Sequence, residues 1–392
     1  MDRSIDECFL YIQNGANIKQ GEVDGGYPIT RIETTANDCF NRDRMGYAGI
    51  TDIAKYKNYV LEDGDLLMSH INSLQYLGRT VLYEKQGNET IIHGMNLLRL
   101  KANREIINPA YAKYCFYSFA FKQQLANITK KSVNQASFAV KDLKRIRIDV
   151  PTIDEQNKIV SILDTIKKII ANRQKELAIF DDLIKARFVE MFGDPITNSR
   201  NWPIVELGSL TEVGSSKRIF EKEYVSEGIP FYRTKEIVEL SKGNSISTEL
   251  YISRERYLEI KNLYGVPQKD DLLISAVGTI GTIWVVDGKQ EFYFKDGNLL
   301  RIKHSDKFES VYMKYLLECL IDEYKNRMSS GTAYAALTIS GLSAMKIYDV
   351  PKLVQHKFTE FAQQIDKSKV VVQKYLEKTQ QLFDKLMQDY FG

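Results

Sequence analysis

Two stretches of the chain place apolar residues at steps of three and four, with polar residues between them. They cover residues 156–193 and 355–392, and neither contains an internal glycine or proline. This spacing is typical of one face of an α-helix. At 1.5 Å per residue each helix would be roughly 55 Å long. That length exceeds what a domain core needs and favours a coiled coil.

The second stretch repeats the first at a fixed offset of 199 residues, with ten identities in 38 aligned positions and no gaps. Gln156 aligns with Gln355, and Phe192 aligns with Phe391. We therefore predict a duplicated helix whose two copies pack on each other, although two core helices of separate domains would show the same periodicity. The candidate interface residues, within the coil or towards a partner subunit, are Ile159, Ile162, Ile166, Leu177, Ile184, Phe358, Phe361, Ile365, Leu376 and Phe383.

The segments before the two helices also repeat. Asp-Gly-Asp-Leu-Leu-Met-Ser at 63–69 corresponds to Lys-Asp-Asp-Leu-Leu-Ile-Ser at 269–275, and an aromatic helix predicted at 109–127 returns at 312–324. We read the carboxylates of these motifs as turn residues, because aspartate is common in turns. In the first segment we further predict a short helix at Asp6–Gln13 and strands at Tyr27–Ile32, Val60–Ser69, Gly78–Tyr83, Ile91–Leu100 and Arg147–Val150.

The sequence thus indicates an α+β protein with two pseudo-symmetric α/β domains, each followed by a long helix. The predicted boundaries are 1–151 for the first domain, 152–193 for the first helix, 194–351 for the second domain with a linker at 194–203, and 352–392 for the second helix.

Composition excludes several classes of protein. Hydrophobic residues make up 44% and charged residues 27% of the 392 positions, as in an ordinary globular protein. No apolar run approaches the ~20 residues of a membrane span. The four cysteines have no CxxC spacing, which is typical of thiols in a reducing compartment. We therefore expect a cytoplasmic protein. The net charge of +3 neither requires nor excludes a nucleic-acid partner.

No catalytic constellation is evident in the sequence. A GxxxxGK[ST] loop and a GxGxxG turn are both absent, and the four histidines lack metal-ligand spacing. We expect a non-catalytic chain that binds no cofactor and no metal.

Two similar units on a rigid helical spacer suit the reading of two DNA targets at a fixed separation, because half-site spacing mirrors the symmetry of the protein. Basic and amide side chains in the loops could bond phosphates or base edges. Residue by residue, a solvated surface charge is the more common role, so the prediction concerns the loops as sets. The first-unit candidates are Lys19, Gln20, Arg31, Arg42, Arg44, His70, Lys130, Lys131, Asn134 and Gln135. The second-unit candidates are Lys217, Arg218, Arg233, Lys235, Ser275, Lys295, Thr332 and Tyr334.

The order of these segments resembles the specificity subunit of type I restriction–modification enzymes. The resemblance rests on Tyr-Pro-Ile-Thr-Arg-Ile at 27–32, Gly-Ile-Pro-Phe-Tyr-Arg at 228–233, and the Val-Pro pairs that precede Gln156 and Gln355. It covers essentially the whole chain.

The resemblance implies an antiparallel coiled coil that separates two target-recognition domains, each reading one half of a bipartite site in double-stranded DNA. It also implies that the helices dock two modification (methyltransferase) subunits, which use S-adenosylmethionine. ATP- and Mg-dependent translocation and cleavage would belong to restriction subunits.

Three other interpretations remain open on the sequence. The chain could be a methyltransferase or nuclease that acts alone, which would require cofactor motifs. It could be the DNA-recognition chain of another restriction class, partnered by a fused methylase–nuclease. It could also be a scaffold that binds no DNA, which the absence of salt-dependent DNA binding would reveal.

Overall fold

A computed structural model of the protein describes residues 1–133, 135–328 and 336–392, with side chains throughout these ranges except at 327 and 328. The chain divides into two compact units. The first unit comprises Met1–Asn172 and Leu376–Gly392, and the second unit comprises Arg173–Tyr375. No helix in the described ranges is long and apolar enough to cross a membrane.

A four-stranded antiparallel sheet forms the centre of the first unit. Its strands lie in the order Phe9–Asn14, Leu97–Ala102, Leu66–Ser69, Thr80–Leu82. The strand at 66–69 is buried on both faces, which explains its unbroken apolar sequence. The remaining strands of this unit are Asp2–Ser4, Pro28–Ile29, Gly46–Tyr47, Ile71–Asn72, Lys130–Lys131, Ala136–Ser137 and Arg147–Asp149.

Helices cover one face of this sheet. Asn108 accepts hydrogen bonds from the first turn of the helix Pro109–Tyr117, and Ser118 both ends that helix and caps the next, Phe119–Ile128. The predicted single aromatic helix is therefore two helices. The other helical segments are Ile5–Cys8 and Val140–Leu143, with 3₁₀ turns at Ile32–Asp38, Arg42–Arg44, Ala54–Tyr59 and Leu74–Tyr76.

The second unit repeats the sheet in the same spatial order. Its strands are Val213–Gly214, Leu299–Ile302, Leu272–Ser275 and Ile283–Val285, again antiparallel. A further sheet contains Tyr224–Val225, Tyr251–Ile252, Ile229–Tyr232 and Tyr293–Phe294, and a terminal pair contains Ile204–Glu206 and Lys346–Tyr348. The helices are Leu207–Leu210, Thr234–Ser241, Arg254–Leu263, Ser310–Met328 and Ile339–Ser343, with a 3₁₀ turn at Glu221–Glu223.

The two long helices are Ile153–Phe192 and Lys352–Phe391, each of 40 residues. In the second unit Phe188 and Phe192 pack against Phe358 with ring centroids 5.3 and 5.5 Å apart. The end of the first long helix therefore lies beside the start of the second. In the first unit Ile159 and Phe391 pack on the same core, so the start of the first lies beside the end of the second. The predicted antiparallel coiled coil is confirmed.

The duplicated glutamines explain how each long helix is anchored. Gln156 accepts a hydrogen bond from the Asn108 amide at 2.8 Å and donates to the carbonyls of Ile106 and Pro151. Gln355 accepts from the Glu309 amide at 2.8 Å and donates to the carbonyl of Val350. Both glutamines are buried, so these bonds satisfy amide groups that would otherwise be costly to desolvate.

One further helix prediction in the first unit needs correction. Asp6–Gln13 is not helical beyond Cys8, because Phe9–Asn14 pairs with Leu97–Ala102 as an edge strand of the central sheet. Of the two candidate roles of Ile162, a contact within the coil core does not fit its 41% exposure, because the neighbouring Leu163 is the completely buried residue. A contact of Ile162 with a partner subunit stays a prediction. One residue is a rotation of about 100° on a helix, so the core face passes through Leu163.

The other proposed coil residues are at least partly buried. Ile166, Ile184 and Phe358 lie in the core, and Ile159, Leu177, Phe361, Ile365, Leu376 and Phe383 are half-buried.

Candidate DNA-contacting surfaces

The first unit gathers four of its candidate residues around one short strand pair. Strand Pro28–Ile29 pairs antiparallel with Gly46–Tyr47. Arg31, two residues after the first strand, and Arg44, two residues before the second, therefore lie at the same end of the pair. The Lys19 carbonyl accepts from the Gly49 amide at 3.2 Å, and Gln20 forms a β-bridge with Ala48. The Arg31 Nε donates to the Gln20 Oε1 at 2.5 Å. Lys19, Gln20, Arg31 and Arg44 are all exposed, and they form the first-unit loop cluster.

Arg42 does not belong to this exposed cluster. Its guanidinium makes two hydrogen bonds to Glu89, at 2.9 and 2.6 Å, and a third to the Glu84 carbonyl. The Arg42 hydrogen bond is the main reason that the pKa of Glu89 falls to about 2. The charge of Arg42 is therefore neutralised within the fold.

A second group of candidates lies on a three-stranded ribbon of the first unit, in the order Ile71–Asn72, Ala136–Ser137, Lys130–Lys131. Lys130, Lys131 and Gln135 are exposed on this ribbon, and no ion pair to Lys130 or Lys131 is formed by the residues that the structure describes. The predicted contact at Asn134 lies outside the described residues.

His70 lies beneath the ribbon and is only 6% exposed. Its carbonyl accepts from the Phe138 amide at 3.3 Å, and its ring lies 6.3 Å from the Phe138 ring. Burial lowers the pKa of His70. The prediction of a direct DNA contact does not fit this position, and the side chain supports the ribbon from within.

The second unit also brings its basic candidates together. The Lys217 amide donates to the Tyr293 hydroxyl at 2.6 Å, and the next residue, Arg218, forms an ion pair with Asp296 at 2.7 Å. The Lys295 amide donates to the Tyr232 carbonyl at 2.9 Å, which places Lys295 next to Arg233 in space. Lys217, Arg218 and Lys295 are exposed. Together with Arg233 they form the second-unit loop cluster.

Arg233 and Arg31 occupy equivalent positions in the two units. Each follows the short strand that contains Pro230 or Pro28, and each precedes a helical turn. The Arg31 amide donates to the Thr34 hydroxyl at 2.8 Å, and the Arg233 amide donates to the Glu236 carboxylate at 2.8 Å. In both units the arginine amide donates to the side chain three residues later, but that side chain is a threonine in the first unit and a glutamate in the second.

Glu236 also changes the charge available in the second unit. It is buried, and it lies 3.1 Å from the Arg233 guanidinium and 3.9 Å from the Lys235 ammonium. Lys235 remains largely exposed. Of these two cations, Lys235 is therefore the more available to a phosphate.

Ser275 is buried and does not reach a surface. Its hydroxyl donates to the Thr279 carbonyl and accepts from the Thr282 amide at 3.0 Å. The prediction that it contacts DNA directly is inconsistent with this position. The predicted contacts at Thr332 and Tyr334 lie outside the described residues.

Sequence reasoning missed a buried ion pair within the central sheet of each unit. Asp65 lies 2.7 Å from Arg99, and Asp271 lies 3.8 Å from Arg301. Each pair joins two neighbouring strands of a central sheet. The signal was present, because an aspartate and an arginine recur at matching places in both repeats.

The described part of the chain contains no group of three His, Cys, Asp or Glu side chains that could hold a metal ion. The surfaces instead offer cations, amides and exposed backbone, which are the groups that proteins use to bind nucleic-acid phosphates and base edges.

Comparisons with known proteins agree with this description. The family model for the type I restriction modification DNA specificity domain matches the chain twice, at residues 2–179 and 199–380. A putative type I restriction enzyme MjaX specificity subunit of Methanocaldococcus jannaschii is 27% identical over 375 residues, which cover 91% of this chain and 84% of the relative. The MjaIX specificity subunit of the same organism is 23% identical over 407 residues, covering 94% of this chain and 89% of the relative.

A solved structure supports the same fold. The S subunit of a type I restriction–modification system from M. genitalium is similar with a TM-score of 0.61 at 15% identity. The match covers 100% of this chain and 96% of that chain.

Proposed function

Because the chain belongs to the type I restriction–modification DNA specificity family, we propose that each of its two units reads one half of a bipartite DNA site. The observation that carries the proposal is the duplication of the scaffold with different loops. Both units have the same strand order in the central sheet, yet the first-unit and second-unit loop clusters carry different polar side chains. Two unlike half-sites can be recognised by one fold if the loops of its two copies carry different side chains.

The cations of the loop clusters would bind phosphates and hold each unit in register. Base identity would be read by groups that can pair with base edges, such as Arg31 with guanine or Gln135 with adenine. The ion pairs of Arg218 with Asp296 and of Arg233 with Glu236 would limit how freely these arginines move before DNA arrives.

The long helices would have two functions. Their length would set the number of unread base pairs between the half-sites, and their outer faces would bind two methyltransferase subunits. Several large apolar side chains on these helices are between 41% and 60% exposed and could be covered by such partners; they are Ile162, Ile179, Leu183, Val189, Val370, Val371, Tyr375 and Leu382. Exposed apolar residues that recur on one element are common at protein interfaces.

In this proposal the chain itself performs no catalysis and binds no cofactor. S-adenosylmethionine would bind the methyltransferase subunits, and ATP and Mg²⁺ would serve the restriction subunits. The complex would act on DNA in the cytoplasm.

The test is the pattern of DNA methylation in a host that expresses this chain together with the methyltransferase subunit of its own system. The matched control expresses the methyltransferase subunit alone. We expect a new methylated motif of two specified parts separated by unspecified bases, present only with the full pair. If the two proteins associate and methylate no such motif, the proposal is wrong.

A further inference from the structure

The turn at residues 73–79 of the first unit projects two large apolar side chains into solvent. It joins strand Ile71–Asn72 to strand Thr80–Leu82, and Leu74 and Tyr76 on it are 54% and 40% exposed. The turn is well ordered by its own backbone, because the amides of Tyr76 and Arg79 donate to the carbonyls of Ser73 and Tyr76 at 3.0 and 3.2 Å. We call residues 73–79 the apolar turn.

Two contacts hold the apolar turn in place. The Arg79 guanidinium lies 4.4 Å from the centre of the Tyr76 ring and is itself paired with Asp38 at 3.1 Å. One face of the ring is therefore covered while the rest stays open. Gly78 has φ +77°, and a Cβ atom there would lie 2.3 Å from the Leu125 side chain. Glycine thus allows the turn to rest directly on the helix Phe119–Ile128.

Two exposed lysines lie on the ribbon from which the apolar turn departs. Strand Ile71–Asn72, from which the turn departs, is one edge of the ribbon whose other edge is Lys130–Lys131. Two strand spacings separate these edges, which is roughly 10 Å. Both lysines are exposed. DNA-binding surfaces combine side chains that contact base edges with cations that contact phosphates. The apolar side chains of the turn could serve as the first kind of group and the two lysines as the second.

The second unit has the same anchors and a different tip. The Gly78 amide donates to the Ser69 carbonyl at 2.8 Å, and the equivalent Gly281 amide donates to the Ser275 carbonyl at 2.9 Å. Eight residues lie between Ser69 and Gly78, and only five lie between Ser275 and Gly281. The shorter turn contains no aromatic residue, and its one large exposed apolar side chain is Val277. The same fold therefore forms with a shorter turn, so Leu74 and Tyr76 are not needed to build the sheet.

We propose that the apolar turn enters a groove of double-stranded DNA and reads base edges in the half-site of the first unit through Leu74 and Tyr76. Thymine offers the apolar group that such side chains recognise, its C5 methyl in the major groove. The lysines of the ribbon bind the neighbouring phosphates. This inference rests on the proposed function, and it assigns a specificity role to two residues outside the polar loop clusters.

The test compares methylation motifs in the host that carries the methyltransferase subunit. The variant is Leu74→Ala with Tyr76→Ala, which removes both large side chains of the tip and leaves Gly78 and the ion pair of Arg79 with Asp38 in place. We expect one or two base pairs in a single half-site to lose their specification, with methylation of sites altered there rising at least about tenfold over the unsubstituted chain. The other half-site stays unchanged.

Two control variants separate specificity from affinity and from the scaffold. Lys131→Ala removes a phosphate contact, so it lowers methylation at all sites and leaves the motif as it is. Val277→Ala alters the equivalent turn of the second unit and leaves the half-site of the first unit unchanged.

Each outcome decides between the hypotheses. An unchanged motif in the Leu74, Tyr76 double variant, from a chain that still associates with the methyltransferase subunit, overturns this inference alone. A loss of association places the turn at a subunit interface and also overturns it. If the unsubstituted chain specifies no bipartite motif, the proposed function fails, and this inference fails with it.

Discussion

The Arg99 guanidinium lies 2.7 Å from the Asp65 carboxylate, and the two side chains are 1% and 0% exposed. The pair joins strand Leu97–Ala102 to strand Leu66–Ser69 at the centre of the first unit. Asp65 also accepts from the Glu62 amide at 2.7 Å, so one carboxylate holds both the neighbouring strand and the preceding turn.

Removing one member of this pair should destabilise the first unit strongly. Asp65→Ala leaves the buried Arg99 with only the exposed Glu62 carboxylate, 3.4 Å away, and we expect a loss of about 3–5 kcal/mol in unfolding free energy. Hydrogen exchange of the amides of strand Leu97–Ala102 measures this loss. Both tryptophans, Trp202 and Trp284, lie in the second unit, so their fluorescence reports whether that unit is unaffected.

The control is Asp63→Ala, two residues away. Asp63 is 64% exposed and lies 3.5 Å from Arg104. An exposed pair contributes about 0–1 kcal/mol, so this variant should unfold almost like the unsubstituted chain. Equal losses for the two variants would contradict the assigned role of Asp65.

The stability of the first unit should depend on pH through His93. This side chain is completely buried, its Nε2 lies 2.9 Å from the Leu97 carbonyl, and burial lowers its pKa from 6.5 to about 3. Between these values the unfolded chain binds a proton that the folded chain does not. Stability therefore falls as the pH falls below 6.5, by about 2 kcal/mol from pH 7 to pH 5 for one such histidine.

His93→Gln keeps a donor for the Leu97 carbonyl and removes the titrating group. We expect the unfolding free energy of this variant to change less between pH 7 and pH 5 than that of the unsubstituted chain. Urea denaturation followed by hydrogen exchange measures both. The pKa of His70 is also lowered by burial, so a smaller dependence of the same sign remains. An undiminished slope in the variant would show that His93 is not the group responsible.

Lys295 should contribute to DNA affinity through a phosphate. In the complex with its methyltransferase partners, Lys295→Ala should reduce the slope of log affinity against log salt concentration by about 0.9 without altering the motif. Lys303, beyond the other end of the strand Leu299–Ile302 and paired with Glu212, provides the control. A slope that changes equally for Lys303→Ala would place the DNA on a different surface.

The coiled coil should act as a ruler for the spacer of the DNA site. The Arg173 guanidinium lies 5.1 Å from the Tyr375 ring, which marks a matching level on the two long helices. Inserting one heptad into both helices at this level adds roughly 10 Å of helix, which corresponds to about three base pairs of DNA. We expect a methylation motif with a longer spacer and unchanged half-sites. An altered half-site sequence would contradict the ruler.

Much of the architecture followed from local patterns. The 3–4 spacing predicted both long helices, and the fixed offset between Gln156 and Gln355 predicted that they are copies. The apolar runs at 66–69 and 272–275 are strands, as expected. These features could be predicted because hydrophobic periodicity indicates which face of a helix or strand is buried. The duplication showed the same periodicity in both halves of the chain.

Other features depended on partners distant in sequence. Phe9–Asn14 is a strand because Leu97–Ala102 lies beside it, and that pairing outweighs the local preference that suggested a helix. Leu163 rather than Ile162 faces the core because tertiary packing selects the rotation of the helix. Polar loop residues looked equivalent in sequence, yet the fold buries His70 and Ser275 and neutralises Arg42.

The two related units and the two long helices could be predicted from the chain alone, because repetition and hydrophobic period are properties of a linear sequence. Which of the candidate loop side chains are exposed and without an internal charge partner depended on the tertiary structure. Exposure and charge pairing arise from contacts between residues far apart in the chain, as between Asp65 and Arg99 or between Arg218 and Asp296. The exposure of Leu74 and Tyr76, at 54% and 40%, likewise became visible only in the folded chain.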